Sequence, residues 1–175
     1  MQDATAIAHV HIDTWRTTYR GIVTDEYLSN MSYDRGKRVW ETTLQDPKTQ
    51  SVFVAEDEQN RIVGFATCGA AREERRTFDG ELYAIYVLQT MQGKGIGRRL
   101  VLSATHDLKD RGSHSMLVWV LAENPFKRFY EELGGEQFTT KDAVVGGKTL
   151  KELGFGWKNL DSLIGDLTED SKTNS

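Results

Sequence analysis

Apolar residues recur every three or four positions over two N-terminal stretches, a spacing that predicts two amphipathic helices. The first helix is predicted over residues 3–19. Its apolar face consists of Ala4, Ala8, Ile12, Trp15 and Tyr19. The second is predicted over 32–46, with Ser32 as its N-cap and with Val39 and Trp40 facing inward.

Short runs of branched and aromatic residues predict the strands. "SVFVAED" (51–57) and "IVGFATCGAA" (62–71) flank a polar turn and predict a β-hairpin. The charged segment "REERRTFDG" (72–80) is predicted to be a solvent-exposed loop. "ELYAIYVL" (81–88) and "SMLVWVL" (115–121) are apolar on both faces, which is typical of buried central strands.

A third amphipathic helix is predicted between these two central strands. It begins near Gly95 and ends at Gly112. Its buried stripe consists of Ile96, Leu100, Ala104 and Leu108. A strand–helix–strand connection of this kind is right-handed and makes the two strands parallel.

The C-terminal third is predicted to hold one more helix and a closing hairpin. In "ENPFKRFYEELGG", Asn124 suits an N-cap and Pro125 suits the first helical position. The following segment predicts a hairpin with Gly146 and Gly147 at its tip. Residues 161–175 are polar, so we expect a disordered tail after a single mixed α/β domain over 1–160.

Composition narrows the class of protein. The 175 residues carry a formal net charge of −4, which argues against a general nucleic-acid binder. No apolar run approaches the roughly 18 residues that a membrane span needs, and the N-terminus does not have the pattern of a secretory signal. The single cysteine, Cys68, rules out an internal disulfide. We therefore expect a cytoplasmic protein.

The stretch "QGKGIGRRL" (92–100) places glycines between a predicted strand and a helix N-terminus, where backbone N–H groups and the helix dipole favour an anion. Lys94, Arg98 and Arg99 add positive charge. The spacing does not fit the dinucleotide-binding fingerprint, because Arg98 or Leu100 stands where its third glycine belongs. It does not fit a P-loop either. From these residues alone, both a phosphate site and a simple tight turn remain open.

Two segments carry a resemblance to a known family. "ELYAIYVLQTMQGKGIGRRLV", with Q/R-x-x-G-x-G/A spacing from Gln92 to Gly97, closely resembles the acetyl-CoA-binding segment of the GCN5-related N-acetyltransferases. "LVWVLAENPFKRFYEELGG" resembles the next signature of that family, and the likeness covers roughly residues 3–158. It implies a mixed central sheet with helices on both faces. It also implies acetyl transfer from acetyl-CoA to a primary amine by direct attack in a ternary complex. A non-catalytic module that binds or senses acyl-CoA is the alternative.

The resemblance assigns residues to the cofactor. The amides from Gln92 through Arg98 would hold the pyrophosphate of coenzyme A, and Val87 and Leu88 would offer backbone bonds to the pantetheine arm. Asn124 and the pair Phe129–Tyr130 would line the other side. The expected cofactor-binding residues are Val87, Leu88, Gln92, Gly93, Lys94, Gly95, Ile96, Gly97, Arg98, Asn124, Phe129 and Tyr130.

Acyl transfer to an amine needs a base, because an alkylammonium with a pKa of about 10.4 has no free lone pair. Glu81, at the start of the central strand, matches a catalytic glutamate of the histone-acetylating branch; the alternative is a carboxylate held by a backbone N–H or an arginine. Tyr130 matches the family tyrosine that faces the sulfur of coenzyme A and would act as the acid. Its alternative is packing on Phe126. A backbone N–H of residues 86–88 would stabilise the oxyanion.

Acceptor contacts are expected from the first helix and the central strand. The candidates are Trp15, Arg16, Tyr19 and Tyr83. Trp15 and Tyr19 also suit a helix core, and Arg16 would suit an anionic acceptor. Tyr83 shares a strand face with Glu81, whereas Tyr86 is expected on the opposite face, in the core. The sequence leaves the acceptor open between small-molecule and peptide amines, and the net negative charge favours a cationic one.

Two further expectations concern what the chain lacks. The four histidines show no metal-ligand spacing, and Cys68 lies in mid-strand with no base beside it, so we expect neither a metal nor a cysteine nucleophile. Members of the family usually begin with an edge strand before the first helix, and no such strand is predicted here. An uncovered edge favours pairing with a second copy, so a homodimer or a frayed edge is expected.

Overall fold

The fold is organised around one mixed β-sheet. A computed structural model describes residues 2–72 and 77–173, which form a six-stranded sheet in the order β1-β2-β3-β4-β6-β5. Helices cover both faces, as the resemblance implies. Among the described helices, none is long and apolar enough to cross a membrane. The elements are α1 (Gln2–Thr18), α2 (Asp25–Ser29), α3 (Tyr33–Gln45), β1 (Ser51–Glu56), β2 (Ile62–Ala70), β3 (Gly80–Val87), α4 (Ile96–Asp110), β4 (Met116–Leu121), α5 (Arg128–Glu132), β5 (Glu136–Val145), β6 (Lys148–Trp157) and α6 (Leu160–Thr173).

The two central strands, β3 and β4, are parallel, as the crossover predicts. Within the described chain their pairing runs only from Gly80, opposite Met116, to Leu82, opposite Val118. Beyond that point the strands separate. The second half of β3 and the second half of β4 therefore face each other across an opening instead of a hydrogen-bonded ladder.

A β-bulge changes which residues of β3 share a face. Ala84 and Leu82 lie opposite consecutive residues of β2, so Tyr83 is the extra residue. The bulge reverses the alternation of side chains along the strand. Tyr86 consequently lies on the same side as Glu81 and Tyr83, and the prediction that it points the other way is wrong.

The helix α4 lies on one face of the sheet together with α6, and its predicted stripe is buried. The expectation of a disordered tail after residue 160 is wrong for the described part of that segment. Leu160, Leu163 and Leu167 recur with helical spacing and are buried against the same core as α4. These leucines supply enough apolar surface to dock a helix whose other positions are polar. Residues 174–175 lie outside the described chain.

Two helices differ in part from their predictions, one in which residues it buries and one in where it begins. Ser32 caps α3 as expected, and Trp40 is buried, but Val39 is 62% exposed. Successive residues of a helix point about 100° apart, so neighbours rarely both face inward. The fifth helix begins at Arg128 instead of Asn124. The side chain of Asn124 holds a turn before that helix.

The remaining loops also differ in part from expectation. The loop 72–80 is not simply solvated, because Phe78 is buried and Arg72 pairs with Glu81; residues 73–76 of it lie outside the described chain. The short helix α2 was not predicted. The hairpin β5–β6 has its tip at Gly146 and Gly147, both with positive φ, as expected.

Strand β1 forms one edge of the sheet, and within residues 2–72 and 77–173 no strand pairs with its outer side. Self-association through this edge stays a prediction.

Candidate active site

The opening between β3 and β4 is the mouth of a cavity of about 490 Å³, here named the cofactor cleft. Its walls are the two separated strands, the glycine-rich loop with the start of α4, and the segment from Asn124 to α5. Separated parallel strands leave backbone groups without a ladder partner. The cleft can therefore bind an extended ligand through the main chain as well as through side chains.

The glycine-rich loop at the cleft has a backbone conformation that other residues rarely adopt. Gly93 and Gly95 have φ values of 75° and 72°, and Gly95 is the N-cap of α4. The Nε2 atom of Gln92 donates to the carbonyl of Val87 at 3.0 Å and fastens the loop to the end of β3. The first amides of α4 have no acceptor within their helix. Together these features fit a diphosphate at the helix N-terminus.

The structure separates the three cations that the sequence grouped with the glycine loop. Arg98 lines the cofactor cleft, as do Ile96 and Gly97. The side chain of Lys94 instead lies near Met91, beside a different surface cavity that it shares with Arg99. Lys94 can therefore contribute its backbone to the loop, but its ammonium does not line the cleft.

The backbone N–H groups of Val87 and Leu88 point in different directions. The N–H of Leu88 donates to Val63 O at 2.9 Å, and its carbonyl accepts from the N–H of Met91 at 2.8 Å. Both backbone groups are thus used within the fold, so the N–H of Leu88 does not face the cleft. Because bonded positions alternate along an antiparallel pair, the N–H groups of Ile85 and Val87 face the opening.

The opposite wall of the cleft holds Asn124, Phe129 and Tyr130. The Oδ1 atom of Asn124 accepts from the N–H of Phe126 at 2.8 Å, while its Nδ2 donates to the hydroxyl of Tyr19 at 3.0 Å. Tyr130 is 8% exposed, and burial raises the pKa of its hydroxyl. At neutral pH Tyr130 is therefore a proton donor and not a phenolate.

A second cavity, of about 450 Å³, adjoins the cleft; we name it the acceptor cavity. Among the described residues, five line both cavities: Tyr19, Tyr83, Tyr86, Trp119 and Val120. The acceptor cavity extends from them to Trp15, to Glu81 and to the strands β5 and β6. Two ligands bound in the two cavities would meet at this shared wall.

Glu81 lies in the acceptor cavity and is almost inaccessible, at 2% exposure. Its Oε2 accepts the backbone N–H of Arg72 at 2.9 Å, and its Oε1 accepts the guanidinium of Arg72 at 2.6 Å. The sequence left open a catalytic base or a carboxylate held by an arginine, and the geometry has the second arrangement. The guanidinium also lies over the ring of Tyr83, with 4.0 Å from Cζ to the ring centroid.

The other acceptor candidates divide into two groups. Trp15, Tyr19 and Tyr83 line the acceptor cavity, and the hydroxyl of Tyr83 donates to Ala70 O at 2.7 Å. Arg16 does not line either cavity. Its guanidinium donates to the carbonyls of Leu28 and Met31 and to the Tyr33 hydroxyl, so it braces α1 against α2 and α3.

Sequence reasoning missed several polar and aromatic residues of the acceptor cavity, on three strands and in the loop after β2. These are Arg72, Trp119, Lys141 and Glu152. Trp119 is the one residue of β4 that is not fully buried, and an aromatic residue in such a strand was the available signal. Lys141 and Glu152 lie directly opposite each other across β5 and β6, a relationship that follows from the hairpin register and not from either residue alone.

Cys68 is buried in β2. Burial and the nearby Asp107 carboxylate raise the pKa of Cys68 to about 12, so its thiol is not available as a nucleophile at neutral pH. Within the described segments there is no group of three or more His, Cys, Asp and Glu side chains that could hold a metal ion.

Comparison with known proteins agrees with this geometry. Residues 62–144 match the family model described as FR47-like protein. The chain is 39% identical to the uncharacterized N-acetyltransferase YuaI of Bacillus subtilis over 93% of its own length and 92% of that relative. The protein named probable N-acetyltransferase Rv2775 of Mycobacterium tuberculosis is 30% identical over 92% of this chain and 83% of its own length.

A solved structure supports the same fold. The PaiA N-acetyltransferase from Thermoplasma acidophilum, in complex with coenzyme A, superimposes with a TM-score of 0.63 at 20% identity; the match covers 90% of this chain and 93% of that one. The glycine loop and the open strand of the cleft fit coenzyme A, and YuaI is 39% identical over nearly the whole length of both chains. The chain therefore belongs to the GCN5-related N-acetyltransferase family and is an acetyl-CoA-dependent N-acetyltransferase.

Proposed function

We propose that the acceptor amine enters through the acceptor cavity and attacks directly, in a ternary complex with acetyl-CoA held in the cofactor cleft. The observation that carries this proposal is the wall of five residues shared by the two cavities. When bound, acetyl-CoA supplies an acetyl group activated as a thioester. No group of the protein needs to carry the acetyl group, because both ligands reach the same wall.

In this proposal Glu81 removes the proton of the acceptor ammonium, directly or through one water. The Oε1 atom that now accepts from the Arg72 guanidinium is the acceptor of that proton. The side chain of Arg72 is 64% exposed, so it can rotate into solvent when an amine arrives. The free amine then has the lone pair that forms the new C–N bond.

The cofactor cleft supplies the two other groups that the reaction requires, a donor for the oxyanion and an acid for the departing sulfur. The N–H of Val87, at the open edge of β3, stabilises the negative charge that develops on the carbonyl oxygen. Tyr130 donates its proton to the sulfur as the C–S bond breaks, and it recovers a proton from the acetylated nitrogen. The products are an amide and a free thiol, and the proton taken from the ammonium remains on Glu81.

Initial-rate kinetics with both substrates varied test the order of events. A ternary complex gives intersecting reciprocal plots, whereas parallel plots would indicate an acetylated enzyme and overturn the proposal. Glu81→Gln and Tyr130→Phe should each lower kcat by about 10²–10⁴-fold. Tyr27→Phe is the matched control, because Tyr27 lines neither cavity. Unchanged kcat in Glu81→Gln and Tyr130→Phe would remove both residues from these roles.

A further inference from the structure

The acceptor cavity already contains two cations, each held by an aromatic ring and a carboxylate. The Arg72 guanidinium lies over the Tyr83 ring at 4.0 Å and pairs with Glu81 at 2.6 Å. On the other side of the cavity, Nζ of Lys141 lies 3.5 Å from the centroid of the Trp119 ring and 3.5 Å from a carboxylate oxygen of Glu152. A ring face together with a carboxylate is a binding site for an organic cation.

The two cations are more exposed than the groups that hold them. The side chains of Arg72 and Lys141 are 64% and 46% exposed, whereas those of Glu81 and Glu152 are 3% and 23% exposed. A long side chain gains little from an ion pair at the surface, so a cation from a ligand can replace it at low cost. The buried carboxylate of Glu81 and the half-buried carboxylate of Glu152 still need a positive partner after the replacement.

We propose that these are two cation sites for one acceptor, and that the acceptor is a linear aliphatic diamine or polyamine. The reacting amine takes the place of the Arg72 guanidinium at Glu81. A second ammonium of the same molecule takes the place of Lys141 at Glu152 and Trp119. The inference rests on the proposed function, because it uses the acceptor cavity as the entrance for the amine.

The same contacts disfavour an acceptor that carries a negative charge. An acceptor with a carboxylate would have to bind Arg72 or Lys141. Each of these cations is already paired with a carboxylate of the cavity, and the carboxylate of Glu81 is also fixed by the backbone N–H of Arg72. An incoming anion would therefore add to the two negative charges already present.

Three four-carbon amines test the inference with the full chain and acetyl-CoA: 1,4-diaminobutane, n-butylamine and 4-aminobutyrate. They present a distal ammonium, a distal methyl group and a distal carboxylate. We expect kcat/KM for the diamine to exceed that for butylamine by about tenfold, as one partly desolvated ion pair with a ring face would give. Equal values for these two, or a preference for 4-aminobutyrate, would overturn the inference.

Two variants locate the second cation site. Glu152→Gln should bring the ratio of diamine to butylamine kcat/KM close to one. Lys141→Met should raise kcat/KM for the diamine several-fold, because it removes the competing ammonium; a fall would show that Lys141 binds the acceptor itself. Lys151→Met is the matched control, since Lys151 pairs with Asp142 on the same hairpin and does not line the cavity, and it should change neither value.

Calorimetric titration with acetyl-CoA distinguishes a wrong acceptor class from a failure of the cofactor cleft to bind acetyl-CoA. If acetyl-CoA binds but the diamine is not acetylated, the acceptor class is wrong and the cofactor cleft is unaffected. If acetyl-CoA does not bind to the folded protein, the proposed function fails before any acceptor is involved.

Discussion

The hydroxyl of Tyr19 accepts a hydrogen bond from Nδ2 of Asn124 at 3.0 Å, across 105 residues of sequence. The bond joins the residue that follows α1 to the turn that precedes α5 at the cofactor cleft, and Trp15 of α1 lines the acceptor cavity beside it. Burial raises the pKa of Tyr19 to about 12, so the hydroxyl keeps its proton at neutral pH. Because Asn124 is the donor in this bond, the proton of Tyr19 is free to be donated at the wall that both cavities share.

Removing that hydroxyl should destabilise the protein and loosen the cleft. In Tyr19→Phe, the buried amide of Asn124 loses its acceptor, which costs about 1–3 kcal/mol of unfolding free energy. KM for acetyl-CoA should rise several-fold because Asn124 also holds the turn that forms the cleft wall. Urea unfolding and two-substrate kinetics measure both effects. Tyr27→Phe, at a ring that is 36% exposed, should stay within about 0.5 kcal/mol, and equal stability of the two variants would contradict the assignment.

The glycine loop should tolerate an added methyl group less well than its open surroundings suggest. Gly93 and Gly95 both have positive φ, so alanine at either position strains the backbone by about 1 kcal/mol and shifts the loop amides. We expect weaker acetyl-CoA binding, measured by calorimetry. Gly112→Ala is the control, because Gly112 has a φ of 91° at the far end of α4 and should show the same strain with unchanged binding. A loss of binding in Gly112→Ala as well would point to a general effect on the helix.

The protein should become less stable as the pH is lowered, because His11 is buried. Its ring stacks on Tyr86 at a centroid distance of 5.1 Å, and burial lowers its pKa from 6.5 to about 4. Between these values the unfolded chain binds a proton that the folded one does not, so stability is lost as pH falls below 6.5. The loss is about 1.4 kcal/mol per pH unit and levels off near pH 4.

Urea unfolding from pH 7 to pH 4 measures this contribution as a difference. The stability gap between the wild type and His11→Gln should narrow as pH falls, by about 3 kcal/mol in all. His106→Gln, at an exposed position of α4, serves as the control for replacing a histidine by glutamine. Parallel profiles for the wild type and His11→Gln would mean that His11 is accessible to protons in the folded state.

The C-terminal helix offers a substitution that should stabilise the protein. Gly165 lies inside α6, and a methyl group there would meet open space. Gly165→Ala should therefore raise the free energy of unfolding by about 0.5–1 kcal/mol. Thermal unfolding followed by circular dichroism measures the change. No change, or a loss, would indicate that residues 160–173 are not helical in solution.

A contrasting glycine shows how packing limits such gains. At Gly156 in β6, an added methyl group would overlap the ring of Phe78. Gly156→Ala should destabilise by more than about 2 kcal/mol, since the buried ring cannot move aside without leaving a cavity. Together the two glycine variants distinguish a free helix surface from a filled core with the same chemical change.

The sequence by itself determined the features that depend on neighbouring residues. The order of the main helices and strands, the parallel crossover, the buried stripe of α4 and the glycine loop all follow from local periodicity, capping and turn chemistry. The resemblance carried by the same loop and by the segment after β4 identified the family and the cofactor. These signals are short-range, so they can be interpreted without knowing which distant residues come together.

Tertiary structure decided the features that depend on how strands pair. The bulge at Tyr83 turned Tyr86 toward the site, and the early end of the β3–β4 ladder opened the cleft. Strand order brought Glu81 and Glu152 into one cavity, and core packing made a helix of a segment expected to be disordered. Register and docking are set by contacts between residues far apart in the chain, so local patterns carry no information about them.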